Sequence, residues 1–248
     1  MASVFLGTSG WHYKHWRERY YPVKLTASRW LSFYAQTFST VEVNNSFYHL
    51  PAEKDLMGWK KATYPGFIFA VKASRLITHM KKLHNIDQPL ENFLSRIRIL
   101  GERLGPVLYQ LPPNLHKNAD LVEDFCSRLP EDLRHVLEFR HASWFDPAIF
   151  AIMERRNIGF CIFDAPGQVC PEVVTSDFVY IRFHGSSGIY SSCYTDRELD
   201  IWAERVRRLS QGGRAVYAYF NNDAGAHAVH NALGLRKRLE GLGEIERT

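Results

Sequence analysis

The chain has 248 residues, 46% hydrophobic, 14% aromatic and 23% charged, with a formal net charge of +5. This is a globular composition; it argues against a disordered chain, which would carry few aromatics and a larger charge excess. The clearest unbroken apolar stretch, Phe67 to Val71, falls far short of the roughly 20 residues a membrane span needs. The N-terminal residues lack the basic, long apolar and cleavage regions of a secretion signal, so a cytoplasmic location is expected. Cys126, Cys161, Cys170 and Cys193 form no Cys-x-x-Cys pair, which argues against a zinc ribbon, a redox motif or a disulfide scaffold.

Short β-rich runs recur along the chain, each followed by a helical pattern or a loop. Val4–Thr8 is the first, followed by a helix over about Ser28–Phe38 with Leu31, Tyr34 and Phe38 on one stripe. Thr40–Val43 is the second, and its helix is expected to start at Pro51, carrying Leu56, Trp59 and Thr63. Phe67–Val71 is the third. Asp87 then caps a helix in which Phe93, Ile97, Leu100 and Leu104 keep a 4-3-4 spacing. The fourth run, Val107–Leu111, precedes a helix over about Ala119–Leu129, and the fifth, His135–Phe139, precedes one opened by Asp146-Pro147. After the sixth, Gly159–Phe163, the stretch 164–176 shows only a loop pattern. The seventh, Phe178–Phe183, leads to a capping box, Thr195-x-x-Glu198. The eighth, Ala215–Phe220, leads to a last helix over about Ala226–Leu239. Eight strands with mostly helical crossovers predict an α/β fold, a single-domain (β/α)8 TIM-type barrel whose sixth crossover lacks a full helix. A doubly wound open sheet is disfavoured, because no Gly-x-Gly-x-x-Gly follows the first strand.

Barrel chemistry sits at the C-terminal ends of the strands, and here every run ends in polar residues. They include Trp11 and Tyr13 after the first, and Glu42, Asn44, Asn45 and Tyr48 at the second. Lys72 ends the third, Gln110 the fourth, and Glu138, Arg140 and Trp144 the fifth. Asp164 ends the sixth, Arg182, His184 and Gly185 the seventh, and Asn221 and Asn222 the eighth. Strand side chains alternate between faces. Glu42 with Asn44, Glu138 with Arg140, and Tyr180 with Arg182 and His184 therefore share faces opposite apolar residues. The outward face meets helices and must be apolar, so the charged face points into the barrel mouth. Buried charge is costly unless paired, and Glu138 with Arg182, or Glu42 with Lys72, would make such pairs.

Several segments together resemble the YecE-like family, named as domain of unknown function 72. They are Gly7-Thr-Ser-Gly-Trp11 with Tyr13, Thr40-Val-Glu-Val-Asn-Asn-Ser-Phe-Tyr48, Phe69-Ala-Val-Lys-Ala-Ser74, Leu108-Tyr-Gln-Leu-Pro-Pro113, Glu138-Phe-Arg-His-x-Ser-Trp144, Tyr180-Ile-Arg-Phe-His-Gly185 and Tyr217-Ala-Tyr-Phe-Asn-Asn222. The resemblance spans nearly the whole chain in order. It implies a TIM-type barrel and assigns no activity.

Two classes of function fit these residues. The first is an enzyme using acid/base chemistry on a small-molecule substrate bearing a sugar or a phosphate. Glu42, Lys72, Glu138 and His184 would be catalytic. Trp11, Tyr13, Asn44, Asn45, Tyr48, Gln110, Arg140, Trp144, Asp164, Arg182, Gly185 and Asn222 would bind substrate. Gly185-Ser-Ser-Gly188 and Asp223-Ala-Gly-Ala226 are the candidate phosphate turns. Lys72 as a Schiff-base amine is one variant. A divalent-metal phosphodiester hydrolase using Glu42, Glu138, Asp164 and His184 is another; it is disfavoured by the positive neighbours, and no cofactor is predicted. The second class is a non-catalytic nucleic-acid binder, stacking bases on Trp11, Tyr13, Tyr48 and Trp144. The basic runs at 81–82, 205–208 and 236–238 read instead as solvated helix faces.

Overall fold

A computed structural model describes residues 3–240. Its eight strands are β1 (Val4–Thr8), β2 (Thr40–Val43), β3 (Ile68–Lys72), β4 (Leu104–Gln110), β5 (His135–Glu138), β6 (Gly159–Asp164), β7 (Phe178–Phe183) and β8 (Ala215–Phe220). They pair in parallel in the order β1-β8-β7-β6-β5-β4-β3-β2 and form a nearly closed barrel. The helices between them are α1 (Trp30–Tyr34), α2 (Glu53–Ala62), α3 (Asp87–Ile97), α4 (Ala119–Ser127), α5 (Pro147–Arg155) and α6 (Asp196–Leu209), and α7 (His227–Glu240) follows β8. The expected TIM-type architecture is the one formed, and no helix follows β6. That crossover is an extended segment pinned by Thr175, whose hydroxyl accepts from the Phe160 amide (2.9 Å) and donates to the Ile158 carbonyl (2.6 Å). Among the described residues no helix is long and apolar enough to cross a membrane.

Three helices depart from the sequence reading: α2 begins at Glu53, with Pro51 outside it, and α1 and α3 differ as follows. The first helix is only five residues long and is preceded by a 3-10 turn at Ala27–Arg29. Its stripe of Leu31, Tyr34 and Phe38 is nevertheless buried. Asp87 is the first residue of α3 rather than its cap, which is Ile86. The 4-3-4 stripe leaves the helix at Gly101, whose φ of 60° breaks it, so Leu104 opens β4 instead. The caps at Asp146 and Thr195 form as read: Asp146 accepts from the Ala148 amide, and Thr195 and Glu198 close a reciprocal box.

Strand alternation sorts the core into two parts. The outward residues of the strands pack beneath the helices with Trp30, Phe93, Ile97, Phe125, Ile149 and Val206. Each such side chain contributes about 1.5–3 kcal/mol by leaving water. The lower barrel interior is a separate apolar plug of Ala70, Leu108, Val136, Cys161, Phe178, Tyr180, Tyr217 and Tyr219. Above it the same faces carry Glu42, Lys72, Gln110, Glu138, Arg182 and His184.

The joint between β1 and β2 has no strand ladder. The Tyr34 hydroxyl spans it, accepting from the Thr8 amide (2.9 Å) and donating to the Thr40 carbonyl (3.1 Å). Gly7 makes the approach possible, since a Cβ there would lie 2.4 Å from the Thr40 carbonyl oxygen.

Candidate active site

Arg182, fully buried on β7, is the centre of the mouth. Its Nε and Nη2 donate to Glu42 Oε2 and Oε1 at 3.0 and 2.8 Å, and its Nη1 donates to Glu138 Oε2 at 2.7 Å. The Tyr180 hydroxyl adds a 2.6 Å bond to Glu42 Oε2. Glu42 thus pairs with Arg182 rather than with Lys72, while the expected Glu138–Arg182 pair forms. Burial raises both carboxyl pKa values. It is outweighed by Arg182 at Glu42, and by Arg140 and Arg182 at Glu138, so both lie below the ordinary carboxylate value. A general acid needs the opposite shift. The two carboxylates are therefore held as anions and share one guanidinium.

Arg140, His184 and Lys72 lie at the edge of this network. Arg140, one tenth exposed, pairs with Glu138 through Nη2 and also reaches His184 Nε2 at 2.7 Å. Its Nε is buried without a hydrogen-bond partner. Burial lowers the His184 pKa from 6.5 to about 4, so the ring is neutral near pH 7. A guanidinium has only donors to offer, so Nε2 accepts and the ring proton sits on Nδ1. The Asn221 amide nitrogen lies 3.2 Å from Nδ1; a half-turn of the amide that exchanges its nitrogen and oxygen lets it accept that hydrogen. Lys72 Nζ donates to Gln110 Oε1 at 2.5 Å and lies 4.3 Å from the centre of the Phe47 ring. Burial, and then Arg182, lower the Lys72 pKa from 10.5 to about 8.

The remaining expected residues divide into two groups. Trp11, Tyr13, Asn44, Asn45 and Tyr48 line one cleft beside the mouth, of about 790 Å³. Trp144, Asp164, Gly185 and Asn222 are engaged elsewhere. Trp144 is buried, stacked on Phe139, with Nε1 bonded to the Leu115 carbonyl at 2.6 Å. Asp164 points outward to Trp202 Nε1 of α6 at 3.0 Å. Gly185, with φ of 107°, turns a loop that Asn222 fastens through Ser192 and Asn231. Several amides of the candidate phosphate turns are engaged within the protein. The Gly185 amide bonds Tyr194, and the amides of Ala224, Ala226 and Ala228 bond the carbonyls of Tyr190, Asp223 and Asn222.

Two residues outside the expected set belong to the site. Tyr180 shares a strand face with Arg182, and Asn221, not Asn222, continues the inward parity of Tyr217 and Tyr219. The alternation rule alone points to both. Among the described residues, no three His, Cys, Asp or Glu side chains converge as a metal cage. The donors closest to that role, Glu42 and Glu138, are taken by guanidinium groups. The basic runs on α6 and α7 are occupied in ion pairs: Arg205 and Arg208 with Glu172, Arg207 with Glu204, and Arg238 with Asp196 and Asp200.

Residues 5–247 match the family model described as "Protein of unknown function DUF72". The chain belongs to the DUF72 family. Its similarity to UPF0759 protein YunF of Bacillus subtilis is 27% identity over 96% of this chain and 95% of that one. With UPF0759 protein YecE of Escherichia coli it is 28% identity over 98% and 96%. A DUF72 family crystal structure from Thermotoga maritima superposes with a TM-score of 0.88 at 30% identity, covering 96% of this chain and 99% of that one. This DUF72 protein thus shares its barrel with the Thermotoga maritima family member.

Proposed function

We propose that this protein is an enzyme performing proton-transfer chemistry on a small molecule that carries an anionic group, a phosphate or a carboxylate, at the C-terminal mouth of the barrel. The observation that carries the reading is the charge balance there. Arg182, Arg140 and Lys72 face only Glu42 and Glu138, and the buried Arg140 Nε has no partner. The surplus cation and the unpaired donor both suit an anion.

Glu42 and Tyr180 hold Arg182, and Arg182 with Glu138 fixes the position of Arg140. The substrate anion bonds Arg140 and Lys72. Drawing Arg140 onto the anion releases His184 Nε2, whose lone pair then takes a proton from the substrate carbon or hydroxyl beside it. Lys72, close to neutrality in its pKa, returns a proton to the product side or stabilises the developing negative charge. Base and anion site are thereby coupled, since His184 becomes available when Arg140 is engaged.

Calorimetric titration with inorganic phosphate and with small carboxylates tests this reading. Arg140→Ala and Lys72→Ala each weaken binding by tenfold or more, while His184→Asn leaves binding in place and removes turnover. Unchanged anion affinity in both Arg140→Ala and Lys72→Ala would falsify the reading.

A further inference from the structure

The cleft beside the mouth lies between the loop after β1, the start of α1, the turn after β2 and the exposed face of α2. Gly58 sits inside α2, where glycine is less favourable than alanine. No packing requirement keeps it small, because a Cβ there would meet nothing within 4 Å. It faces open cleft. Trp59 beside it and Trp11 opposite meet edge to face, with ring centres 5.3 Å apart. Tyr48 stands on the wall with 63% of its surface exposed. Asn44 gives its amide nitrogen to the Ser9 carbonyl at 3.4 Å and leaves its oxygen buried and unpaired. The two charged lining residues, Lys54 and Asp55, are opposite in sign.

We propose that this cleft is a ring subsite, seating the uncharged, hydroxyl-bearing sugar ring of the substrate whose anionic group occupies the mouth. The inference rests on the functional reading above and adds the class of substrate. Aromatic faces pack against the C–H side of a sugar ring. A hydroxyl donates to the unpaired Asn44 oxygen, and others bond Asn45 and Asp55. The balanced charge suits a neutral ring, and the volume lies within the range of small-molecule sites. Cleft and mouth share a wall. Phe47 lies beneath the Lys72 ammonium and meets Tyr48 edge-on at 5.0 Å. Asn44 and Tyr13 both bond the same Ser9 carbonyl. A ligand that bridges the two crosses this wall at Phe47 and Tyr48.

The test is calorimetry with inorganic phosphate and a panel of pentose and hexose phosphates, on the wild type, Gly58→Leu and Arg140→Ala. Gly58→Leu introduces a helix-favouring residue and fills the cleft. At least one sugar phosphate binds the wild type tenfold or more tightly than inorganic phosphate. Gly58→Leu removes that advantage and leaves phosphate affinity unchanged, and Arg140→Ala weakens both ligands. Equal affinity for phosphate and every sugar phosphate, or an advantage that survives Gly58→Leu, overturns the ring subsite and leaves the anion site standing. If neither phosphate nor any sugar phosphate binds, the anion reading fails, and methyl glycosides then test the cleft alone. Binding that Gly58→Leu abolishes supports it, and no binding overturns it. Tighter binding of adenosine monophosphate than of every sugar phosphate, lost in Gly58→Leu, assigns the cleft to a flat heteroaromatic ring and overturns the sugar.

Discussion

The lower and upper halves of the barrel interior are built from the same strands by opposite means. Below, Ala70, Leu108, Val136, Cys161 and Phe178 close the barrel with apolar contacts. Above, the same strand faces end in Glu42, Lys72, Gln110, Glu138, Arg182 and His184. The lower half gains stability from each group it buries. The upper half buries charges whose mutual attraction at best offsets their loss of water. The difference separates residues that make the fold from residues the fold carries at its own cost.

The most severe way to break this comparison is Arg182→Met. It leaves Glu42 and Glu138 buried without their shared cation and is expected to destabilise the protein by about 3–5 kcal/mol, read as a fall in Tm. Removing both carboxylates along with the arginine, as Glu42→Gln and Glu138→Gln in the same chain, recovers much of that loss. If Arg182→Met alone is harmless, the upper half is not held by one cation.

Acid sharpens it next. The folded-state pKa of His184 is depressed from 6.5 to about 4, and those of His79 and His135 are depressed equally. The unfolded chain therefore binds these protons first as pH falls. The histidine contribution is level above pH 6.5 and is lost between 6.5 and about 4, with His184 accounting for at most about 3 kcal/mol. The Glu42 and Glu138 contributions, lowered in pKa, are lost only below the ordinary carboxylate value of 4.5. Denaturant melts across pH 4–8 follow the first loss, and His184→Asn shrinks it.

Two smaller effects run in the opposite direction. The depressed pKa of Lys72 means that its charged form is disfavoured by folding below pH 8. Lys72→Met is thus expected to stabilise the protein at pH 7 by about 1 kcal/mol while weakening anion binding. Gly58→Ala, in a helix interior with room for the methyl, is expected to add roughly 0.5–1 kcal/mol. Thermal melts of both variants check the signs, and a loss of stability in either places that residue among those the fold requires.

Periodicity made most of the barrel legible. The bounds of β1, β2, β7 and β8 coincide with the apolar runs, because parallel strands buried on both faces read as continuous hydrophobic stretches. Alternation was enough to place Glu42, Glu138, Arg182 and His184 on one inward face. It could not say which carboxylate meets which cation, since that depends on how strands 138 and 140 residues apart are brought opposite one another by closure. Glu42 therefore meets Tyr180 and Arg182 rather than Lys72. The helix ends were less legible, since the apolar spacing runs on past Gly101 while the backbone does not. Trp144, Asp164 and Asn222 look like rim residues by position alone. Asp164 lies off the inward parity of Cys161, and Asn222 lies off that of Tyr219.

The Tyr34 bridge has a consequence for how the molecule opens. Seven joints of the barrel are zipped by backbone amides along their length, and the eighth is fastened by a phenol. Parting that seam removes the bonds of the Tyr34 hydroxyl to the Thr8 amide and the Thr40 carbonyl. The Thr8 amide, bonded to that phenol, reports the opening rate of the seam by hydrogen exchange.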